Sequence, residues 1–492
     1  MSFYVAFAVL AGLGYLINKY VTTERKKHGL EHFPGPLLCA ISHIPYAFHF
    51  FAGDHPRWIE SLHEKYGPVV RTAPNELSFI SPRSWRDIYA YRKDHLVFRK
   101  SLAYDAAAFT DQTRSIVNEQ DPAEHSKMRK MLAPAFSDRN LRLQWPLIDE
   151  TVNTLIAELS KLATAKKPAD LSLYFSLATF DVSASLALGE EFHSIEAGKL
   201  HPWAVFFKHG AEAMGQGVAA GRFPWLKKIL VAVKPPPMGG LIKQLHKHEA
   251  LCIEMVKKRQ THPSDRPDIL GLILSAHEKE GNTFTTPFMA AQLSDVIIAG
   301  TETTALALST AAYYVTRDAE VHRKLKEEIR GRFSSYEDIS PGTVADLPYV
   351  NAVFSEAMRL MSPVPWPPSR VVPMGGDNVE GYHLPEGTCV STSSFAAPRS
   401  ERNFKDPKVF RPERWIEKDG VDQLDASQPF GLGPRACIGK SVGLTIARLI
   451  LAKVFFKFDM EAVDKNLDWV GKTRFRLLWD KPKLWVQLNE RE

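Results

Sequence analysis

The string FGLGPRACIG, from Phe430 to Gly439, surrounds one cysteine with groups that change its acidity. Cys437 follows Arg435 by two residues and precedes an apolar segment, from Ser441 to about Phe456, that is predicted to be a helix. The guanidinium charge and the N–H groups at the start of that helix both favour a thiolate over a thiol. The glycines allow backbone to approach a flat neighbour closely. The string predicts a thiolate that binds a metal or acts as a nucleophile, although a buried cysteine before an ordinary helix leaves the same pattern.

A second group of polar residues lies inside a long apolar segment, in the string AGTETT from Ala299 to Thr304. Gly300 and Thr303 are three residues apart and share one helix face. A small residue there leaves room for a ligand, to which the Thr303 hydroxyl can donate. Glu302 is an acid in an apolar helix, which costs free energy unless it has a partner or a function. Two interpretations stay open: proton transfer, or a Thr303 hydroxyl bonded to its own helix and a Glu302 in a structural ion pair.

Two further pairs of polar residues have helical spacing. Glu356 and Arg359 are three apart, and His125 and Arg129 are four apart, so each pair shares a helix face. The spacing carries little weight by itself, because many surface helices contain such pairs.

A mainly helical scaffold with a small β region has to bring these residues together. The clearest helix is predicted from Pro287 to Thr316 with Thr286 as its cap, and it should run through the interior because it is apolar nearly all round. A charged helix from Ala319 to Phe333 should lie on the surface. Strand patterns cluster from Arg370 to Thr392, between turns rich in Gly, Asn and Pro.

The composition is that of a globular protein with a substantial core, since 45% of the 492 residues are hydrophobic and 24% are charged. The formal net charge of +6 is spread along the chain, so we expect no nucleic-acid partner. It suits an acidic protein partner or an anionic membrane surface. The four cysteines are far apart in sequence, which excludes paired-cysteine zinc sites and indicates a reducing compartment.

The N-terminal segment from Phe3 to Ile17 is uncharged and almost entirely apolar. As a helix it rises roughly 23 Å, and extension to Val21 with snorkelling ends brings it close to the ~30 Å hydrocarbon core. Basic residues follow the segment and none precedes it, which favours a translocated N-terminus and a cytoplasmic body over a cleaved signal peptide. We expect a single transmembrane helix with its basic flank over 1–28, and one catalytic domain over 29–492.

Taken together, these strings resemble the cytochrome P-450 family of haem-thiolate monooxygenases. The string from Phe430 to Gly439 matches the haem-binding signature Phe-x-x-Gly-x-Arg-x-Cys-x-Gly, and AGTETT is similar to the oxygen-binding segment. Glu356 and Arg359 fall at the family's Glu-x-x-Arg in the required order. The resemblance runs from Pro34 to about residue 480 and fits microsomal, fungal-type members best. It implies the P-450 fold, in which a long central helix lies over haem b.

The resemblance also implies a role for each candidate residue. Cys437 would be the axial ligand of the haem iron, a thiolate that pushes electron density to the metal. Thr303 and Glu302 would deliver protons. A structural lock around the cysteine loop would consist of Glu356, Arg359 and Arg414.

A further set of residues is implied to contact the haem, with the basic members at its propionates: His125, Arg129, Gly300, Arg370, Phe430, Arg435 and Gly439. His125 stands where many members have Trp, and Pro398-Arg399 stands where many have His-Arg.

The implied activity is the hydroxylation or other oxidation of a lipophilic small molecule with O₂, in fungal secondary metabolism and at the endoplasmic reticulum membrane. Electrons from NADPH would come through a separate flavoprotein reductase, with cytochrome b5 as a further donor. The substrate chamber should be lined by apolar residues from 98–116, 204–233 and the positions Val296 and Ala299. A haem-thiolate isomerase or dehydratase is a rival, but such members typically lack the threonine found here as Thr303. A non-catalytic haem-binding protein would not need a buried acid and hydroxyl.

Overall fold

The computed structural model describes residues 19, 21–109, 111–223, 236–262, 264, 266–280, 285–417 and 420–491. The predicted membrane anchor, Phe3 to Ile17, lies outside these residues, as does the chamber-lining stretch 224–233. The described chain is mostly helical with small sheets, as the sequence predicts.

The helices follow one another along the whole chain. In order they are α1 (Leu37–Ile41), α2 (Ile44–Ala52), α3 (His55–Tyr66), α4 (Pro82–Tyr89), α5 (Pro122–Leu132), α6 (Asp138–Thr164), α7 (Leu171–Leu188), α8 (Ser194–Ala197), α9 (Pro202–Gly221), α10 (Pro236–Thr261), α11 (Ile269–Glu280), α12 (Thr286–Val315), α13 (Ala319–Arg332), α14 (Pro348–Leu360), α15 (Arg414–Glu417), α16 (Lys440–Lys457) and α17 (Trp469–Lys472).

The strands form one five-stranded sheet and smaller ones. They are β1 (Val69–Ala73), β2 (Glu76–Phe79), β3 (Arg99–Lys100), β4 (Ala169–Asp170), β5 (Arg370–Val371), β6 (Asp377–Val379), β7 (Tyr382–Leu384), β8 (Cys389–Thr392), β9 (Phe458–Ala462), β10 (Arg474–Arg476), β11 (Leu478–Asp480) and β12 (Trp485–Glu490). The large sheet has the order β1-β2-β8-β5-β3 and is antiparallel except between β2 and β8. A three-stranded sheet, β4-β12-β9, and the hairpins β6–β7 and β10–β11 complete the β structure.

The central helix α12 is the longest in the described chain and organises the core. Its cap is Thr285, whose hydroxyl accepts from Phe288 N, so the predicted cap at Thr286 is wrong by one residue. The helix carries apolar residues on most faces, and it packs most extensively against α7. The surface helix α13 and the cysteine-following helix α16 also lie where the sequence predicts them.

Buried apolar side chains form a large helical core and a second cluster beside the five-stranded sheet. Within the described ranges, α7 is the one helix long and apolar enough to cross a bilayer, and 89% of that stretch is buried inside the protein. The candidate site residues lie on α12, in the loop before α16 and in the five-stranded sheet.

Candidate active site

The loop before α16 holds Cys437 in a fixed position. Its backbone N–H donates to the carbonyl oxygen of Phe430 at 2.8 Å, which closes the loop into a compact turn. Gly433, with φ of +74°, lies where an added Cβ would collide with the carbonyl oxygen of Tyr89. The backbone that packs closely against Gly433 is thus the end of α4. No larger residue fits at position 433 unless the loop moves.

The Cys437 side chain is accessible to water although protein surrounds it, so it lies in a recess of the protein. Burial raises the pKa of this thiol, while the N–H of Gly439 and the charges of Arg129 and Lys440 act in the opposite direction. The lowering of the thiol pKa that the sequence predicts from Arg435 and the helix N-terminus is therefore outweighed by burial. A bound metal ion changes this balance, because it displaces the thiol proton outright.

Helix α5 brings two of the predicted haem contacts to the cysteine loop. Asp121 caps the helix by accepting from two backbone N–H groups, at 2.8 and 2.9 Å. One turn later His125 is 4% exposed, and a further turn on Arg129 donates from Nη1 to the carbonyl oxygen of Ala436 at 2.6 Å. Arg129 therefore holds the backbone next to Cys437 directly.

Two short strands, β3 and β5, contribute further basic residues to the site. Lys100 in β3 and Arg370 in β5 are direct partners in an antiparallel pair, so their side chains point to the same face. Both are buried, at 6% exposure each. Arg435 joins them from the cysteine loop and donates to the carbonyl oxygens of Glu119 and Gln120 at 2.6 and 2.7 Å.

Together, five basic residues form what we call the basic cluster: Lys100, His125, Arg129, Arg370 and Arg435. Burial and the neighbouring charges lower the pKa of His125 to about 3. The pKa of Arg435 falls to about 10 through burial and the charge of Arg370, and that of Lys100 falls well below its usual range for the same reasons. Across the described residues, no ion pair joins a member of the cluster to a carboxylate. The cluster is a buried concentration of positive charge that an anion would stabilise.

Thr303 and Glu302 of the central helix make the two contacts that the structural interpretation predicts, a hydroxyl bonded to its own helix and an ion pair. Thr303 Oγ1 donates to the carbonyl oxygen of Ala299 at 2.5 Å. Glu302 pairs with Lys481, which follows β11, and the two side chains are 26% and 6% exposed. Ala299 is exposed in the middle of this largely buried helix, and the neighbouring residues Val296, Gly300 and Thr303 are half-buried.

The Cα of Gly300 faces α7 closely, and the predicted contact of Gly300 with a haem ligand stays a prediction. A Cβ at Gly300 would lie 2.5 Å from Ser183 Oγ and 3.3 Å from Ser183 Cβ on α7. Its missing side chain therefore allows α7 and α12 to pack closely together. The contact between α12 and α16 is looser, with Thr304 Oγ1 at 3.7 Å from a Cβ built on Gly443.

The predicted lock of Glu356, Arg359 and Arg414 is present and buried. Arg359 donates to both oxygens of Glu356 at 2.7 and 2.8 Å, and Arg414 Nε donates to Oε1 at 3.0 Å. All three side chains are 0% exposed. Arg359 also donates to the carbonyl oxygens of Pro398 and Pro407, both at 2.6 Å. The lock thereby joins α14 to two loops upstream of the cysteine loop.

Comparison with known proteins agrees with this architecture. A family model described as Cytochrome P-450 matches residues 35–484. The chain belongs to this family. Members bind haem through a cysteine thiolate, and this P-450 is accordingly a haem-thiolate monooxygenase.

Curated relatives of this P-450 cover nearly the whole chain. The cytochrome P-450 monooxygenase ORF11 of Penicillium roqueforti is 41% identical over 93% of this chain and 95% of the relative. The monooxygenase traB of Penicillium crustosum is 36% identical, with 94% and 92% covered. The monooxygenase aba2 of Botryotinia fuckeliana is 35% identical, with 94% and 91% covered.

The basic cluster fits the cofactor of this family. Haem carries two propionate carboxylates, and the P-450 presents buried cations with no carboxylate partner among the described residues next to the loop that contains a cysteine. The donor set thus matches a dianionic, iron-containing group with a soft axial ligand.

Several functional neighbours were missed in the sequence. Lys100 belongs to a two-residue strand with no period to detect, and only the register with β5 reveals it. Asp422 accepts from Arg414, which lies 8 residues earlier, and Trp415 Nε1 donates at 2.9 Å to Glu356, which lies 59 residues earlier. Pro398-Arg399 stands where many family members have His-Arg, and its Arg399 pairs with Glu60 at 2.9 Å. A search for an arginine within reach of an isolated acid could have found Asp422, but not the others.

Proposed function

We propose that Cys437 is the axial ligand of the haem iron and that the chain hydroxylates or otherwise oxidises a lipophilic small molecule. The observation that carries this proposal is the position of Cys437 in a water-accessible recess beside the basic cluster. When bound, a haem with a thiolate ligand supplies the activation of O₂. The Gly439 N–H donates toward the sulfur and stabilises its negative charge.

The propionates of the haem would be held by the basic cluster. Lys100, Arg370 and Arg435 converge from two strands and the cysteine loop, and each already donates to backbone carbonyl oxygens that orient it. His125 and Arg129 approach from α5, with Arg129 bound to the loop backbone. Phe430 contributes the carbonyl oxygen that holds the Cys437 N–H.

Thr303 and Glu302 are proposed to move protons in the chamber. The Thr303 hydroxyl donates to Ala299, so its oxygen lone pairs can accept from a water molecule. Glu302 is half-buried, and its carboxylate is paired with the ammonium group of Lys481. Thr303→Val is expected to divert electrons from product to peroxide, whereas Thr303→Ser should not, because serine keeps the hydroxyl.

The substrate class is proposed from the chamber and from the relatives. The accessible face of α12 includes Val296 and Ala299, and Ile116 lies across from it at 9% exposure. Apolar walls fit an apolar substrate. The relatives named above are fungal monooxygenases, which supports a role in fungal secondary metabolism. Comparison of metabolites with and without the gene would identify the compound that accumulates, and an unchanged profile would contradict this role.

Attachment to the endoplasmic reticulum membrane through residues 1–28 is also proposed, with 29–492 as the cytoplasmic catalytic domain. Helices α1 and α2, which directly follow the anchor, expose large apolar side chains: Leu37 (54%), Leu38 (51%), Ile44 (58%), Phe48 (64%) and Phe51 (51%). An apolar surface of this kind beside an apolar segment suits a lipid surface. A flavoprotein reductase in the same membrane would supply NADPH-derived electrons, with cytochrome b5 as a further donor.

Two experiments test the proposal. Cys437→Ser should abolish the thiolate-type absorption of the reduced carbon monoxide complex, while the control Cys389→Ser should keep it. Retention of that absorption in Cys437→Ser would show that another residue binds the iron. Deletion of residues 1–28 should make the protein extractable from membranes by alkaline carbonate without changing this spectrum. A deletion variant that stays in the carbonate-washed membrane would contradict the anchor.

A further inference from the structure

The segment 91–98 lies between α4 and β3 and forms neither helix nor strand. Most of its side chains are exposed, and only Arg92 and Phe98 are shielded from water. Phe98 is 3% exposed and packs in the apolar cluster beside the large sheet. Asp94 has a φ of +61°, a conformation that Asp tolerates better than most residues, so the chain turns sharply here. We call this surface segment the strap.

A recess separates the strap from the basic cluster. One wall of the recess consists of the end of α4 and the strap, and the other wall includes Arg370, Pro434 and Arg435. The strap also runs directly into β3, which carries Lys100. Members of the basic cluster therefore lie both underneath the strap and at its C-terminal end.

The carboxylate of Asp377 in β6 holds the strap in place. Arg92 Nη2 donates to Asp377 Oδ2 at 2.5 Å, and Arg92 Nη1 donates to Oδ1 at 3.3 Å. His95 Nδ1 lies 3.0 Å from the same Oδ1. The side chains of Asp377 and Arg92 are 6% and 19% exposed, so water screens their attraction less than it would at the open surface.

Arg92 also connects the two ends of the strap. Its guanidinium carbon lies 5.4 Å from the centroid of the Phe98 ring, and its carbonyl oxygen accepts from the N–H of His95 at 3.3 Å. Loss of the pair between Arg92 and Asp377 therefore loosens the turn and the ring contact together. A segment held by side-chain contacts opens at a lower free-energy cost than the strands and helices of the core.

We propose that the strap closes the passage through which haem reaches the basic cluster, and that Asp377 is a positioning residue that keeps the strap closed. This inference rests on the proposed function, because it takes the basic cluster as the site of the propionates. Haem passes only through an open state of the strap, which is a minor state of the protein. Opening exposes Arg370 and Arg435, whose positive charges attract the propionates.

A closing strap has a kinetic signature. A substitution that weakens the closed state raises the open fraction, so it speeds the entry and the exit of haem by the same factor. The affinity for haem then stays constant while its release accelerates. A residue that only contributed to haem binding would change the release rate and the affinity together.

The test uses the full-length, haem-loaded ferric protein with apomyoglobin as the acceptor of released haem. Release, followed by the absorption of the myoglobin that forms, should be about five-fold faster or more in Asp377→Asn and in Arg92→Gln, because each variant loses charged hydrogen bonds. The partition of haem at equilibrium between equal amounts of the two proteins should match that of wild type. Wild-type release rates in both variants, or faster release with a partition shifted toward myoglobin, would overturn the proposal.

Two controls separate the strap from general loosening of the protein. The double variant Arg92→Gln with Asp377→Asn should release haem no faster than the faster single variant, because both substitutions remove the same pair. The matched control is Glu76→Gln, which breaks a similarly shielded pair with Arg222, whose side chains are 17% and 10% exposed. Equal acceleration by Glu76→Gln, or multiplied effects in the double variant, would contradict the role of the strap.

A separate measurement locates the passage. Hydrogen exchange of peptides that cover 91–98 should become faster together with haem release, and unchanged exchange in a fast-releasing variant would place the passage elsewhere. Failure of the Cys437 assignment would appear in the carbon monoxide spectrum of the wild type. The comparison of release rates does not depend on which residue binds the iron, so it tests the strap independently.

Discussion

Glu302 of the central helix and Lys481 of the segment after β11 form an ion pair, so the acid of the AGTETT string is bound to a residue 179 positions away in the sequence. The pair admits a structural and a chemical role for Glu302. Both variants Glu302→Gln and Lys481→Gln break it, and both should destabilise the protein by a similar amount, about 0.5–2 kcal/mol, because the pair is half-buried.

Only Glu302→Gln should affect proton delivery. We expect it to slow NADPH oxidation in the reductase-coupled system by roughly 10- to 100-fold and to enlarge the solvent deuterium isotope effect. Lys481→Gln should stay close to wild type in both measurements. Equal rates for the two variants would mean that Glu302 serves only as the partner of Lys481.

Because the lock is buried, we expect a substitution in it to impair folding and not to slow the catalysed reaction of a folded enzyme. Arg359→Ala leaves the carboxylate of Glu356 buried and short of a partner, which should cost about 3–5 kcal/mol and yield protein with little haem. Arg323 offers a matched control, because it also pairs with a glutamate three residues earlier, Glu320, but is 52% exposed. Arg323→Ala should change stability by less than about 1 kcal/mol. The ratio of haem to protein absorbance and the Tm decide between these outcomes, and similar haem contents in the two variants would contradict the prediction.

Close packing at Gly300 predicts that its substitution acts through α7. Gly300→Ala should destabilise the protein by about 1–3 kcal/mol, because the new Cβ meets Ser183. The double variant Gly300→Ala with Ser183→Gly should recover most of this loss, which a Tm measurement would detect. If Gly300 instead bordered the haem, Ser183→Gly would not rescue haem content, and the packing explanation would fail.

A pH dependence follows from the carboxyl of Asp295. Burial raises its pKa to about 6, against the hydrogen bond from Val117 N–H and the charge of Lys100. The folded protein therefore holds a proton that the unfolded chain has released between roughly pH 4 and 6, so stability falls as pH rises through that window. Asp295→Asn removes this cost and should be about 1–2 kcal/mol more stable than wild type at pH 7. Tm measurements at pH 4 and 7 test the prediction, since a stability difference that is equal at both values would contradict it.

Sequence reasoning found the parts of the site that lie in local strings. Cys437, Glu356 and Arg359 were identified because a signature or a helical spacing contains them, and the central helix was placed within one residue at its cap. The same reasoning missed strand β1, because a fully buried short run lacks the alternation that marks a strand, and it overlooked β12, in which buried Val486 and Leu488 do alternate with more exposed residues. The close packing of Gly300 against Ser183 was missed because the two residues are more than a hundred positions apart in the sequence.

Acidity was the other property that local sequence could not predict. Arg435 is two residues from Cys437, yet its guanidinium is directed to the carbonyl oxygens of Glu119 and Gln120. The charges that act on the thiol belong to Arg129 and Lys440, and burial outweighs them. Proximity along the chain was therefore a poor measure of the electrostatic influence of Arg435 on the thiol.

The register of two short strands has a consequence for how the protein matures in the cell. Lys100 and Arg370 are direct partners across β3 and β5, and like charges in that position repel each other. A chain that has not yet received a dianion carries this repulsion at the sheet edge, and burial together with the neighbouring charges lowers the pKa of Lys100 there. Cofactor supply would then limit how much newly made protein completes its fold, so that haem acts as a late assembly factor as well as a reagent.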